Sequence, residues 1–356
     1  MPETDANIRT TADEPTRDVK PDKAVEMYLK EKQADGAAQS TIYSHRSRLG
    51  HFTEWFQSET DYTHLSDLDG FDLKLFKLER FGEEDDGFGD YSRLTVKTQL
   101  DTLRRFMHFN AEIGAVPFSL PHRIKSPSKG DAGQRDNEIE DTRARKIAKH
   151  LDRYRYASFD HVLFHLLWYL MLRVGTARSI DVDNVHLDER YIELHHHPGQ
   201  DTPLKKKGKS ERKVAISETT ASIIEDYIDT NRNDVEDEYG RNPLFTSEDG
   251  RASLNMMRNR VYALSRPCTV GECPHDRDPE ECDAAQARNV AYKCPTSEAT
   301  HAVRRGSITW HLREDTDKEI ISERADVSVR VLDENYNNLS EREKMELRRD
   351  ELPEGL

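Results

Sequence analysis

The chain has 356 residues, 35% apolar and 34% charged, enough for two domains whose cores are confined to particular helices. Asp and Glu number 68 against 53 Lys and Arg, a formal net charge of −15, which would repel a polyanion in dilute salt. No apolar run approaches the roughly 20 residues that span a bilayer, and Met1–Lys20 has no apolar signal core. A cytoplasmic protein without a membrane partner is expected, with a polar, disordered arm over residues 1–20. The acidic residues are dispersed, as in Glu83-Glu84-Asp85-Asp86. Such a surface suits high salt, where the Debye length falls to about 3 Å at 1 M and only close contacts count. A halophilic source is therefore expected.

Residues 21–116 read as an all-helical domain. Asp22 can cap a first helix with Val25, Tyr28 and Leu29, and Ser40 a second with Ile42, Leu49, Phe52 and Phe56 on one face. A third helix covers Phe71–Arg80. Gly82–Asp90 reads as a loop, and Thr95 opens a fourth helix that stops at Gly114. Residues 117–140 are rich in Pro, Gly, Ser and charge and read as a linker, either a solvated connector or a strap whose Lys125 touches a ligand.

Residues 141–356 read as mixed but mostly helical with a small antiparallel sheet, which makes the whole chain mainly α. A helix over Thr142–Arg153 precedes the apolar run His161–Leu172. Tyr191–His195 alternates like a strand, Lys205–Ser210 reads as a basic hairpin tip, and Lys213–Ile216 as the return strand. Ser217 can cap a helix through Ile228, and Ser253 one through Leu264. An insert over residues 266–296 holds all four cysteines. Helices follow over Thr300–Arg313, Asp317–Arg324, Val329–Glu334 and Ser340–Arg349.

Several side chains in this half have chemistry to offer. Arg173 directly follows the apolar run, where an unpaired cation is costly; alone it reads as one half of a structural ion pair. His301 and Arg304 are three apart, on one helix face. An Arg fork grips two phosphate oxygens, and two such forks from different helices can clamp a phosphate as charge builds. Lys205, Lys206, Lys207, Lys209 and Arg212 form a basic turn in an acidic chain. A Lys there can enter a DNA groove or protonate a leaving oxygen. Tyr336 precedes the last helix. Its phenol, with a pKa near 10, attacks only if cations stabilise the anion, and alone it reads as packing.

The order of these features resembles the tyrosine recombinase family (phage integrases and Xer-like site-specific recombinases), here as a haloarchaeal type. Leu172-Arg173-Val-Gly-Thr-Ala-Arg-Ser-Ile180 looks like the family's first arginine box, Lys207-Gly-Lys-Ser-Glu-Arg-Lys-Val-Ala-Ile216 like its lysine hairpin, and His301-Ala-Val-Arg304 like its second box. Tyr336 falls where the nucleophile belongs. The resemblance covers about Asp141–Arg349 and implies a core-binding, DNA-binding domain before it. It further implies that Arg173, His301 and Arg304 hold a scissile phosphate, that Lys207 protonates the leaving 5′-oxygen with Lys209 in reserve, and that Tyr336 forms a 3′-phosphotyrosyl link. Lys205, Lys206, Lys209, Arg212 and Lys125 would contact DNA. No catalytic cofactor is implied; the partners are double-stranded DNA and a homo-tetramer on paired sites, with the tail after Ser340 docking on a neighbour. Two features depart from the pattern. Arg324 stands where the family has His or Trp, and it lies about a helical turn further from Tyr336 than is common. They motivate a second reading, an inactive DNA-binding regulator of the same fold.

The insert spaces Cys268, Cys273, Cys282 and Cys294 within 27 residues, with His275 among them. Four soft donors in one short segment suit a closed tetrahedral zinc site, and a structural zinc is expected, free buried thiols being the alternative. With zinc at its centre the segment could also be an interaction module.

Overall fold

The computed structural model describes residues 13–82, 88–89, 91–128, 137–336 and 345. The chain divides into two compact units, residues 1–135 and 136–356.

The first unit is all-helical. Helix α1 (Pro21–Ala34) begins on Pro21, whose fixed φ suits a first helical position. Asp22 sits in the first turn and is not the cap. Helix α2 (Gln39–Glu59) follows Ala38 rather than a capping Ser40. Asp69 and Asp72 cap each other's backbone at the start of α3 (Gly70–Phe81), and Ser92 caps α4 (Arg93–Glu112). Tyr28, Phe52, Phe76 and Phe106 meet edge to face at the centre of the core.

Three segments expected to be loose are built into this unit. Thr16 and Arg17 donate backbone bonds to Gly114 O, and Val19 accepts one from Leu65, so residues 13–20 are not a free arm; residues 1–12 lie outside the described part. Phe88 is buried in the core; residues 83–87 and 90 of the expected acidic loop are not among the described residues. Leu120 and Ile124 are buried there as well, through a short helix α5 (Leu120–Arg123). The start of the expected linker is therefore core, its apolar pair outweighing its polar composition.

The second unit packs α6 (Asp141–Tyr154), α7 (Phe159–Trp168), α9 (Glu218–Thr230), α10 (Leu254–Ser265) and α12 (Thr300–Arg313) around one core. Helix α7 is central, buried from Asp160 to Trp168. It ends before the apolar run does. Met171 takes φ +53°, and Leu172 N turns back to Leu166 O. Arg173 is thus the N-cap of a short helix α8 (Val174–Ser179), not the end of a long one. The sheet is a three-stranded antiparallel meander of β1 (Val185–His186), β2 (Tyr191–Leu194) and β3 (Arg212–Ala215). Helix α11 (Asp283–Gln286) lies in the Cys segment. Helices α13 (Lys318–Ala325) and α14 (Val329–Asn335) pack with α12 around a second cluster that includes Met171, Ile308, Ile321, Leu332 and Tyr336. The expected last helix and docking tail lie outside the described residues. No described helix is long and apolar enough to cross a membrane.

Candidate active site

Arg304 is the deepest cation of the second unit, 2% exposed. Its guanidinium donates to Met171 O at the break after α7 and to Ala325 O at the end of α13. These are two carbonyls that helix termini leave without backbone partners. The Tyr336 hydroxyl lies near enough to favour its charge. Burial, then the nearby Arg173 charge, pulls its pKa down to about 10.

One helical turn before Arg304, His301 is exposed at the rim of a cavity of about 300 Å³, whose walls also carry Arg173, Lys205, Arg258, Thr300 and Arg304. Desolvation first, then Arg304, Lys205, Arg305 and Arg173, hold the His301 imidazole below its ordinary range. The ring is therefore neutral at neutral pH and can take up a proton. Lys205 is likewise pushed down, by desolvation and then by Arg173, Arg304 and Lys206.

Arg173 reaches this wall tied to Asp326. Its Nη1 donates to Asp326 Oδ2 at 2.7 Å and its Nη2 to Asp326 O at 2.9 Å. The same carboxylate accepts from Lys206 Nζ at 2.9 Å and Ser210 Oγ at 2.8 Å. Burial raises the Asp326 pKa, but the Lys206, Ser210 and Arg173 contacts outweigh it, and the group stays ionised below the usual carboxylate range. Asp326 ends α13 in the left-handed region, φ +50°. A non-glycine held there is strained, and three partners over-determine it.

The expected site residues thus separate. Arg173, His301 and Arg304 line one cavity. The lysine on that cavity is Lys205; Lys207 does not line it. Lys207 opens a 3-10 turn at φ +57°, exposed. That turn, Lys207–Ser210, lies within the expected basic tip between β2 and β3. Lys206, Lys209 and Arg212 line a separate groove of about 560 Å³ beside α13. Arg324 lines that groove too, its guanidinium bonded to Ala215 O and Tyr169 O at 3.1 and 3.3 Å; it does not line the Arg173 cavity. Tyr336 caps α14 and is 6% exposed, its ring beneath the Arg305 guanidinium at 5.8 Å. Lys125 belongs to the first unit, on a cleft with Arg123 and Lys74.

Sequence reasoning missed Asp326 and Arg258. Asp326 lies two residues after Arg324, and Arg258 is four residues after Leu254 on the same face of α10. It also missed a buried anchor under the sheet, where Asp181 accepts from Arg241 at 2.6 Å and Arg251 at 2.5 Å.

The four cysteines are free thiols, Cys294 buried and the others half-buried. They do not close into a tight donor group. Among the described residues, the metal-ligand atoms within 4.8 Å of one another belong to Asp152, His161 and His165. His161 Nδ1 accepts from Ala157 N, so its Nε2 carries the proton and faces Asp152 Oδ1 at 3.1 Å. The protonated Nε2 of His161 leaves that ring without a free lone pair for a metal.

Residues 138–266 match the sequence model of the phage integrase family. No curated protein is significantly similar to the chain. Solved structures share its fold. The XerH site-specific recombinase bound to a palindromic difH substrate, in a post-cleavage complex, is 14% identical with a TM-score of 0.60, over 92% of this chain and 84% of that one. The Tn1549 transposon integrase in complex with transposon right end DNA is 13% identical with a TM-score of 0.59, over 92% and 98%. A lambda integrase dimer bound to a COC′ core site is 11% identical with a TM-score of 0.58, over 96% and 80%.

Proposed function

We propose that this chain, which carries a phage integrase family domain, is a site-specific DNA recombinase that cuts and rejoins strands through Tyr336. The observation that carries the reading is the convergence of Arg173, Lys205, His301 and Arg304 on one cavity, with Tyr336 buried near Arg304. A cavity walled by cations in a chain of net charge −15 is a site for a dianion or a phosphodiester, not a general basic surface.

In this mechanism Arg173 and Arg304 grip the two non-bridging oxygens of a DNA phosphate. The Tyr336 oxygen attacks phosphorus and gives its proton to neutral His301. The bond to the 5′-oxygen breaks as Lys205 supplies that oxygen with a proton, and a 3′-phosphotyrosyl link remains. One phosphodiester replaces another, so neither ATP nor a catalytic metal enters. A 5′-hydroxyl from a second strand reverses the step. Paired double-stranded sites bound by four copies, in the cytoplasm, complete the reading. Tyr336 must leave its pocket to reach a phosphate in the cavity, so the attacking form differs from this resting one by a movement of α14.

That burial, with Arg324 turned away from the cavity, favours a second reading: a DNA-binding regulator on the same fold that does not cleave. A substrate nicked so that the 5′-fragment diffuses away distinguishes them. The recombinase accumulates a covalent adduct on it; the regulator binds it without one.

A further inference from the structure

Residues 266–296 join α10 to α12, and so set where His301 and Arg304 begin. The segment has little to hold it together. Its regular structure is the four-residue α11 and two short 3-10 turns, 267–269 and 288–293. Its buried residues are Ala284, Ala291 and Cys294. Ordering a residue costs about 1.5 kcal/mol, while burying a methylene returns about 0.8 kcal/mol, so side chains this small do not fix a segment of this length. Its ends are nonetheless tied down. Ser265 Oγ bonds Glu298 N and O at 2.7 and 3.0 Å, and Arg143 bonds Thr296 O at 3.0 Å.

Two of the segment's donors, His275 and Cys294, meet at the Thr296 side chain. Thr296 Oγ1 lies 3.1 Å from His275 Nε2 and 3.8 Å from Cys294 Sγ. His275 and Cys294, 19 residues apart, therefore meet at one hydroxyl; Cys268 and Cys273 precede His275 in the same segment, and Cys282 is the N-cap of α11, nine residues after Cys273.

We infer that residues 266–296 fold around a structural zinc ion held by Cys268, Cys273 and Cys294, with a fourth donor from the Cys273–Cys282 loop. His275 Nε2 is the group already beside Cys294, and Cys282 is its competitor. Binding draws the thiols in from their present spacing and releases their protons. The ion supplies the cross-link that the missing core does not, and so fixes the start of α12. The inference is independent of the strand-transfer reading, since a non-cleaving protein would need the same staple.

The test uses the full chain, purified with its thiols reduced and without chelator. Elemental analysis is expected to find one zinc per chain, lost in Cys268→Ser, Cys273→Ser and Cys294→Ser. Of His275→Ala and Cys282→Ser, the variant that loses zinc names the fourth donor. Cobalt exchange should give a thiolate charge-transfer band, stronger if Cys282 is the ligand. Because the variants could misfold, wild-type protein is also stripped with chelator and refilled. Protease cutting within 266–296 should be about tenfold faster stripped than refilled, the measure of a local opening. Purified chain with four titratable thiols and no zinc overturns the inference, as does cutting that ignores the metal.

Discussion

Lys205 and Lys207 differ in surroundings although one residue separates them. Lys205 shares a cavity wall with both arginines, and burial first, then those charges, lowers its pKa. Lys207 stands exposed on the turn. Lys205→Ala should slow strand cleavage by about 10²–10⁴-fold, the usual worth of a general acid. A sulfur leaving group in place of the 5′-oxygen, which needs no proton, should restore it. Lys207→Ala should stay within about threefold of wild type on either substrate; the reverse pattern would return the role to Lys207. Asp326 supports the same wall. Asp326→Asn weakens its charged contacts to Arg173 and Lys206, at a cost of about 2–3 kcal/mol in stability. The folded-state pKa is depressed, so the contribution of this carboxylate is present above its unfolded pKa, about 3.9, and is lost as pH falls through the folded value. Wild type should lose more stability than Asp326→Asn between pH 5 and pH 2 in denaturant titrations. Equal losses would mean that the carboxylate is not held as the distances imply.

Among the elements, α12 carries the heaviest constraints. Gly306 lies against Ile139, where a Cβ would collide with the Ile139 carbonyl oxygen. Gly306→Ala should therefore destabilise the second unit by about 1–3 kcal/mol, as overpacking does. Thermal melting checks this, and an unchanged Tm would mean that residues 137–140 do not pack there. Two helices of this half were legible because Ser217 and Ser253 announce them, and each is found capping the backbone. The site was legible where spacing on one helix decides it, as for His301 and Arg304. It was not where a tertiary turn decides it. The break after Trp168 depends on Arg304 and Ser307 taking carbonyls across the core. The lysine that faces the cavity depends on a 3-10 turn within a loop, and no periodicity signals either.

Across the whole molecule, charge and fold pull apart. The fold is one also found in recombinases solved with DNA, yet the chain carries net −15. The concentrated cations at Arg173, Lys205, Arg258 and Arg304 are where that balance reverses locally. If the acidic surface is adapted to high salt, screening should relieve its self-repulsion. Tm should then rise between 0.1 and 2 M KCl, with the Debye length falling below about 3 Å at the upper end. A Tm that falls instead would contradict that adaptation. Residues 1–135 and 136–356 each have their own core, so such a melt need not be one transition.

The most direct test of strand transfer is a covalent trap. Full-length protein is incubated in high salt with nicked DNA drawn from sequence flanking its own gene, then denatured and resolved by size. Wild type should yield a protein–DNA adduct whose peptide map places the nucleotide on Tyr336, and Tyr336→Phe should yield none while still binding the DNA. An adduct that survives in Tyr336→Phe, or DNA bound by wild type with no adduct formed, would contradict the account.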